Sequence, residues 1–329
     1  NNVIPSWQYP YDTDQNLDQL YLKIVSSGIT SLVIQFNYSF FDFKEFSKFL
    51  YKINNNHINL IIFLHSTIDP EQQELKKLVL LTDSFRKCNR IFVHTIKDLN
   101  RLKNLGLVSN VSIFPHPIKY IYSSTNKDRE VSVNQPNNKL MIGSFGFCLP
   151  NKGFSELINS IPILKKTNLS FHINIFSSLY NDYEYYYHEL VDLVKYLDVE
   201  KEVTINKNYL HSDDIQFLLA KQDIIVYPYQ SSNESSSASI RDGLASLRPV
   251  MVTPLDIFDD VNDLVDYFPG FSPEDLACGI ISWYEKYKIS PEEINNLYTS
   301  RTGLIKSRSF SSLSLRLHSI INSLEINKD

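Results

Sequence analysis

Short, continuous apolar runs recur along the chain. Each is bounded by polar or turn-forming residues and followed by a stretch with apolar positions three and four apart. The runs Ser31–Phe36, Asn59–His65, Arg90–His94 and Val111–Pro115 predict strands, because a sheet covered on both faces needs near-continuous apolarity rather than alternation. Between them, Phe43–Ile53, Glu71–Leu81 behind Pro70, and Ile96–Leu105 closed by Gly106 predict helices. Residues 118–138 lose this periodicity and turn polar, which predicts a linker. A second series then begins. Strands are expected at Leu140–Phe145, Phe171–Ser177, Val203–Asn206, Asp223–Tyr229 and Pro249–Thr253. Helices are expected at Lys152–Lys166, Asp182–Leu197, Asp213–Lys221 and Ser236–Leu247, with a mostly helical tail over Pro291–Ile326. Such alternation predicts an α/β protein with two doubly wound parallel sheets, each binding ligands beyond the carboxyl ends of its strands.

Composition changes this picture only at the margins. A chain of 329 residues is long enough for two domains, and 43% hydrophobic with 21% charged residues is ordinary for a globular protein. The net charge of −5 supplies no basic field, so nucleic acid is not an expected partner. Apolar runs stay well short of the ~20 residues that cross a bilayer. Three cysteines, odd in number and far apart, read as reduced thiols and place the chain in the cytoplasm. The chain opens on Asn1, and its first series lacks a leading strand with a Gly-rich turn, so the N-terminal domain is expected to be incomplete.

The most informative stretch is Glu234–Val250, ESSSASIRDGLASLRPV, directly after the apolar run ending at Tyr229. Ser235 or Ser236 can cap a helix there, and Ile240, Leu244 and Leu247 form one apolar stripe, leaving Ser239, Asp242 and Ser246 on the opposite side. A helix start with small side chains at a strand's carboxyl end is a phosphate-binding arrangement.

Glu234, seven intervening residues, Asp242 and then Arg248-Pro249-Val250 resemble the acidic motif of retaining glycosyltransferases of the group 1 (family four) type. Ile142–Gly153, IGSFGFCLPNKG, is similar to the strand, Gly-containing turn and Lys-Gly that open their donor-binding domain. Three positions depart from the usual pattern: Asp242 stands for Glu, Ser235 for Gly, and Phe147 for an Arg after the turn glycine. The resemblance implies the GT-B fold, two Rossmann-like domains facing a cleft. It divides the chain into an acceptor-side domain over residues 1–117, a linker, a donor domain over 139–300, and a helix over 301–329 that crosses back to the first domain.

It also implies roles. Lys152 and Gly146 would meet the diphosphate, with the amides of Ser237, Ala238 and Ser239. Tyr229 would wall the nucleotide pocket, Asp242 would accept from the ribose hydroxyls, and Arg241 would add positive charge. Glu234 and His65 would meet the transferred sugar, Glu234, His65 and Lys152 being the catalytic candidates. No metal and no prosthetic group is implied. The donor would be a GDP- or UDP-hexose and the acceptor a glycan or glycolipid hydroxyl; the likeness extends to members that build bacterial surface polysaccharides, often as mannosyltransferases, with peripheral contact at the inner membrane face compatible with that role.

Two other classes fit the same residues. One is a non-catalytic nucleotide- or glycan-binding module, favoured by Phe147, by Asp242 and by the expected incompleteness of the N-terminal domain; the other is a nucleotide-sugar epimerase. Several motifs carry less. His94 and His116 also sit at strand ends, where structural histidines are common, and Asp256, Asp259 and Asp260 read as helix-start carboxylates. The sequence contains no His/Cys cluster at zinc spacing and no phosphate-loop Gly-Lys-Ser/Thr.

Overall fold

The computed structural model of the chain describes residues 17–119, 139–180 and 183–326. They divide into two units. The first holds the described residues up to His116, together with Asn233–Ser236 and the chain from Ser314 onward; the second holds the rest.

In the first unit α1 (Asp18–Ser26), β1 (Ser31–Phe36), α2 (Phe43–Asn55), β2 (Asn59–Leu64), α3 (Thr82–Phe85), β3 (Arg90–Val93), α4 (Ile96–Asn104) and β4 (Val111–Ile113) follow in order. The strands form one sheet in the order β1-β2-β3-β4, parallel throughout. Strand β2 is buried at all six positions, as its unbroken apolar run requires. Helix α2 starts where the Asp42 side chain accepts from the Glu45 amide, and it packs Phe43, Phe46 and Phe49 inward at helical spacing. Phe36 carries no exposed surface, and the rings of Tyr38, Phe41, Phe43, Phe46 and Phe85 surround it at centroid distances of 5.5 to 6.1 Å. A second aromatic group, Phe63, Phe92 and Phe114, closes to 5.0–5.3 Å, with the Arg316 guanidinium 5.2 Å from Phe114.

In the second unit β5 (Leu140–Phe147), α5 (Phe154–Asn159), α6 (Ile161–Leu164), β6 (Phe171–Ser178), α7 (Glu184–Tyr196), β7 (Val203–Asn206), α8 (Ser212–Leu219), β8 (Ile224–Tyr227), α9 (Ser239–Ala245), β9 (Val250–Val252), β10 (Asp266–Tyr267), α10 (Pro273–Ile289) and α11 (Pro291–Ser307) follow; α12 (Phe310–Ile326) starts in this unit and from Ser314 belongs to the first. The sheet order is β10-β9-β8-β5-β6-β7, all parallel. Counted within the unit this is the 6-5-4-1-2-3 order of a doubly wound dinucleotide fold, whose order reverses between β5 and β8. Strand β8 shows how both faces are filled: Ile224 and Val226 join one core with Phe154 and Leu157, while Ile225 and Tyr227 join the other with Ile240 and Leu244. Among the described residues no helix is long and apolar enough to cross a membrane.

Strands depart from the sequence reading by a residue or two; some helices depart further. The helix expected over Glu71–Leu81 is two 3₁₀ turns, Glu74–Lys76 and Leu78–Leu81, before α3. Gln72 takes a positive φ of 61°, Lys77 is extended, and Asp69 accepts from the Leu78 amide at 2.9 Å, so tertiary contacts displace the helical ladder. The helix expected from Lys152 begins only at Phe154. Gly153 stands before it with φ 72°, and a Cβ there would meet the Pro228 carbonyl oxygen at 1.8 Å. Helices α1 and α10 and the two-residue β10 were not expected. The linker reading falls on residues of which 120–138 lie outside those described, as does Asp182.

Candidate functional site

In the second unit several of the expected residues gather where the strand order reverses. Strand β5 ends at Phe147 and β8 at Tyr227, so Gly146 and Tyr229 lie at neighbouring carboxyl ends. A Cβ placed on Gly146 would stand 3.9 Å from the Tyr229 hydroxyl and 4.0 Å from Lys152 Cδ, in ordinary contact with both. The Lys152 ammonium lies 3.9 Å from the centre of the Tyr229 ring, a cation–π position that holds it over this edge. Tyr229 is fully buried, and its hydroxyl meets those of Ser237, at 3.3 Å, and Ser239. These five residues form one connected cluster at the β5/β8 ends.

Asp242 sits one turn into α9, half-buried, and accepts from Gln216 Nε2 at 3.0 Å. Below it Tyr227 donates to the Ser239 carbonyl at 2.8 Å, and Gly243 is needed because a Cβ would stand 2.6 Å from that tyrosine's oxygen. Burial drives the Tyr227 hydroxyl well above its ordinary range, so it stays protonated and donating. Arg241, expected at the nucleotide, is instead 5% exposed and ion-paired with buried Asp260. Burial is the main cause that lowers its pKa, opposed by Asp260. Ala238 is exposed at the helix start.

Helix α9 begins at Ser239, not Ser236, and Ala238 is its N-cap without a side-chain hydrogen bond. Of the two serines expected to cap it, Ser235 is bound elsewhere. Asn233–Ser236 belongs to the first unit, where the Ser235 hydroxyl donates to Asp98 at 2.9 Å and the Ser66 hydroxyl donates to the Asn233 carbonyl at 3.0 Å. Glu234 is exposed within this segment. Asp98 was missed by sequence reasoning. It is fully buried, accepts from the hydroxyls of Thr67, Thr95 and Ser235, and takes Arg101 Nη1 at 3.2 Å. Its local signal was a Thr95-x-x-Asp98 helix cap, Thr95 accepting from the Asp98 amide at 3.1 Å; the serine it reaches is 137 residues on.

His65 follows β2 directly. Its Nε2 lies 2.7 Å from Gln35 Oε1 and its Nδ1 3.2 Å from His94 Nε2. Burial, and then His94, bring its pKa down to about 4, so it is neutral at pH 7. His116 joins these two, and one nitrogen from each of the three lies within 4.8 Å of the others. Linear spacing gave no such signal, because the three come from the ends of three different strands.

No protein-family model and no curated protein matches the sequence. Solved structures do match the fold. HepE of Anabaena in complex with UDP superposes with a TM-score of 0.71 at 14% identity, over 93% of this chain and 84% of that one. A glycosyltransferase from Rickettsia africae ESF-5 gives 0.70 at 12% identity, over 98% and 84%. Sucrose-phosphate synthase from Thermosynechococcus elongatus gives 0.69 at 10% identity, over 98% and 82%. The chain thus has the GT-B fold with two Rossmann-like units.

Proposed function

We propose that this chain is a glycosyltransferase that moves a hexosyl unit from a nucleotide diphosphate sugar to a hydroxyl of a glycan or glycolipid. The observation that carries this is the gathering of Gly146, Lys152, Tyr229, Ser237 and Ser239 at the β5/β8 switch point, the place where a doubly wound sheet takes a nucleotide. Structural neighbours that hold UDP, UDP with glucose, and UDP-glucose support the ligand class. In this account the Lys152 ammonium and the amides of residues 237–239 neutralise the departing diphosphate, a task that positive groups and backbone donors perform without a metal. Asp242 holds the ribose; Glu234 and His65 act on the transferred sugar. The acceptor oxygen bonds to the anomeric carbon on the face the phosphate leaves, the carbon–phosphate oxygen bond breaks, and the acceptor's proton passes to the departing phosphate, so configuration is retained.

The finer proposal is a mannosyl unit, carried on GDP or UDP, added to a bacterial surface polysaccharide by a cytoplasmic protein in peripheral contact with the membrane. The domain division proposed for that role keeps residues 1–117 for the acceptor and 139–300 for the donor. The test is turnover: UDP- and GDP-hexoses are incubated with and without candidate acceptor glycans, and free nucleoside diphosphate and the anomeric product are measured. Acceptor-dependent release of diphosphate with an α-linked product from an α-linked donor supports the proposal; inversion would overturn the retaining mechanism.

A second reading is a nucleotide-binding module without turnover. It is favoured by Phe147, exposed where the resemblance has an arginine, and by Arg241, committed to Asp260. Tight nucleotide binding with no transfer to any acceptor would select it.

A further inference from the structure

We propose that His65, His94 and His116 form a binding site for a divalent first-row transition ion of the zinc class. The three residues stand at the carboxyl ends of β2, β3 and β4, adjacent strands of one sheet, so the backbone itself delivers them to one edge. Pro115 and Pro117 flank His116 and restrict its backbone.

The proton bookkeeping points to a cation. His94 Nδ1 faces the Phe114 carbonyl oxygen at 3.0 Å, which can only accept, so Nδ1 donates and, in the neutral ring, Nε2 carries the lone pair. His65 Nε2 faces Gln35 Oε1 at 2.7 Å, again an acceptor, so its Nδ1 carries a lone pair. These two lone-pair nitrogens face one another at 3.2 Å. When neither nitrogen carries a proton, an ion beside both turns the contact into coordination. Two imidazole nitrogens bound to tetrahedral zinc at about 2.05 Å each stand about 3.3 Å apart, so this pair already has the spacing of two ligands. The third, His116, has its nitrogen within 4.8 Å of both. Rotation of its ring completes a three-histidine set with a fourth position open to water.

The outer contacts match as well. Metal-bound histidines characteristically donate their other N–H to a carbonyl, carboxylate or amide oxygen, which fixes the tautomer; His94 and His65 do so to Phe114 and Gln35. The three histidines and their partners Gln35 and Phe114 belong to the first unit, so the site stands whether or not the chain transfers sugar.

The test is zinc uptake by the full chain carrying Cys278→Ser, which removes the exposed thiol, after chelator treatment. Equilibrium dialysis measures stoichiometry, and cobalt in place of zinc reports tetrahedral geometry through its visible absorption. One ion per folded chain is expected. His94→Gln and His116→Gln should each weaken uptake by roughly tenfold or more, and Gln35→Ala, at an exposed position, should weaken it by roughly tenfold through loss of the His65 partner. Where the buried His94→Gln variant fails to fold, His116→Gln and Gln35→Ala decide. Failure of the folded chain to take up zinc would show that His65 and His94 share a proton instead, and would overturn the proposal. Uptake unchanged in His116→Gln would overturn it equally, by placing the ion elsewhere.

Discussion

At the scale of single residues, the clearest constraint is Gly153. Its positive φ and the Pro228 carbonyl 1.8 Å from any Cβ leave no room for another residue, so Gly153→Ala should lose more than about 2 kcal/mol and lower the melting temperature. Unchanged melting would mean that the β8 end yields easily. Arg241 and Asp260 make a second case. Both are nearly sealed from water, and removing one partner of such a pair strands the other's charge, which typically costs about 3–5 kcal/mol. Asp260→Ala should therefore unfold at markedly lower denaturant, whereas Arg241→Met combined with Asp260→Leu should recover most of the loss; equal destabilisation by single and double variants would show that packing, not charge, dominates. The thiols separate by the same physics. Burial pushes Cys88 up to about 12 and Cys148 up to about 11, while Cys278 is exposed. A thiol reagent near neutral pH should label Cys278 alone in the folded chain, and all three in denaturant.

At the scale of elements, the segment leading into α9 is governed by a residue far away in sequence. Asp98, at the start of α4, fixes Ser235 and with it the position of Glu234. A hydrogen bond to a buried carboxylate contributes roughly 1.5–3 kcal/mol. Ser235→Ala should therefore raise amide exchange across residues 233–236 and leave the β5–β9 sheet protected as before; uniform loss of protection would assign Asp98 a global structural role instead. The same segment shows why the site was only partly legible in the sequence. The small residues, the acidic spacing and the Lys152 turn were readable because each is local to one strand–turn–helix. The start of α9 was misplaced by three residues because Ser235, a good cap by type, is taken by Asp98. Arg241, expected to add positive charge at the nucleotide, is paired with Asp260, a partner that nothing in its own strand–turn–helix announces.

At the scale of the whole molecule, the fold was legible because buried parallel strands such as β2, β8 and β9 write themselves as apolar runs between turn residues, and nine of the ten strands among the described residues were expected from the sequence. The tenth, β10, has two residues and no pattern to read. Helix α1 has too little flanking signal, and α10 presents Leu276, Ile280, Trp283 and Tyr287 to the core at helical spacing that no motif marked. That His65, His94 and His116 share one sheet edge was legible from their places at strand ends; that a nitrogen of each comes within 4.8 Å of the others was not, since adjacent strand ends meet only once the sheet is built. The central claim is that the β5/β8 edge of the second unit binds a nucleoside diphosphate. Calorimetric titration of UDP, GDP and ADP into the chain, and into Lys152→Ala and Asp242→Ala, tests it most directly. One nucleotide should bind, and each substitution should weaken it by roughly 1.5–3 kcal/mol, about ten- to a hundredfold. Binding of none of the three, or equal binding by the parent and both variants, would contradict the assignment.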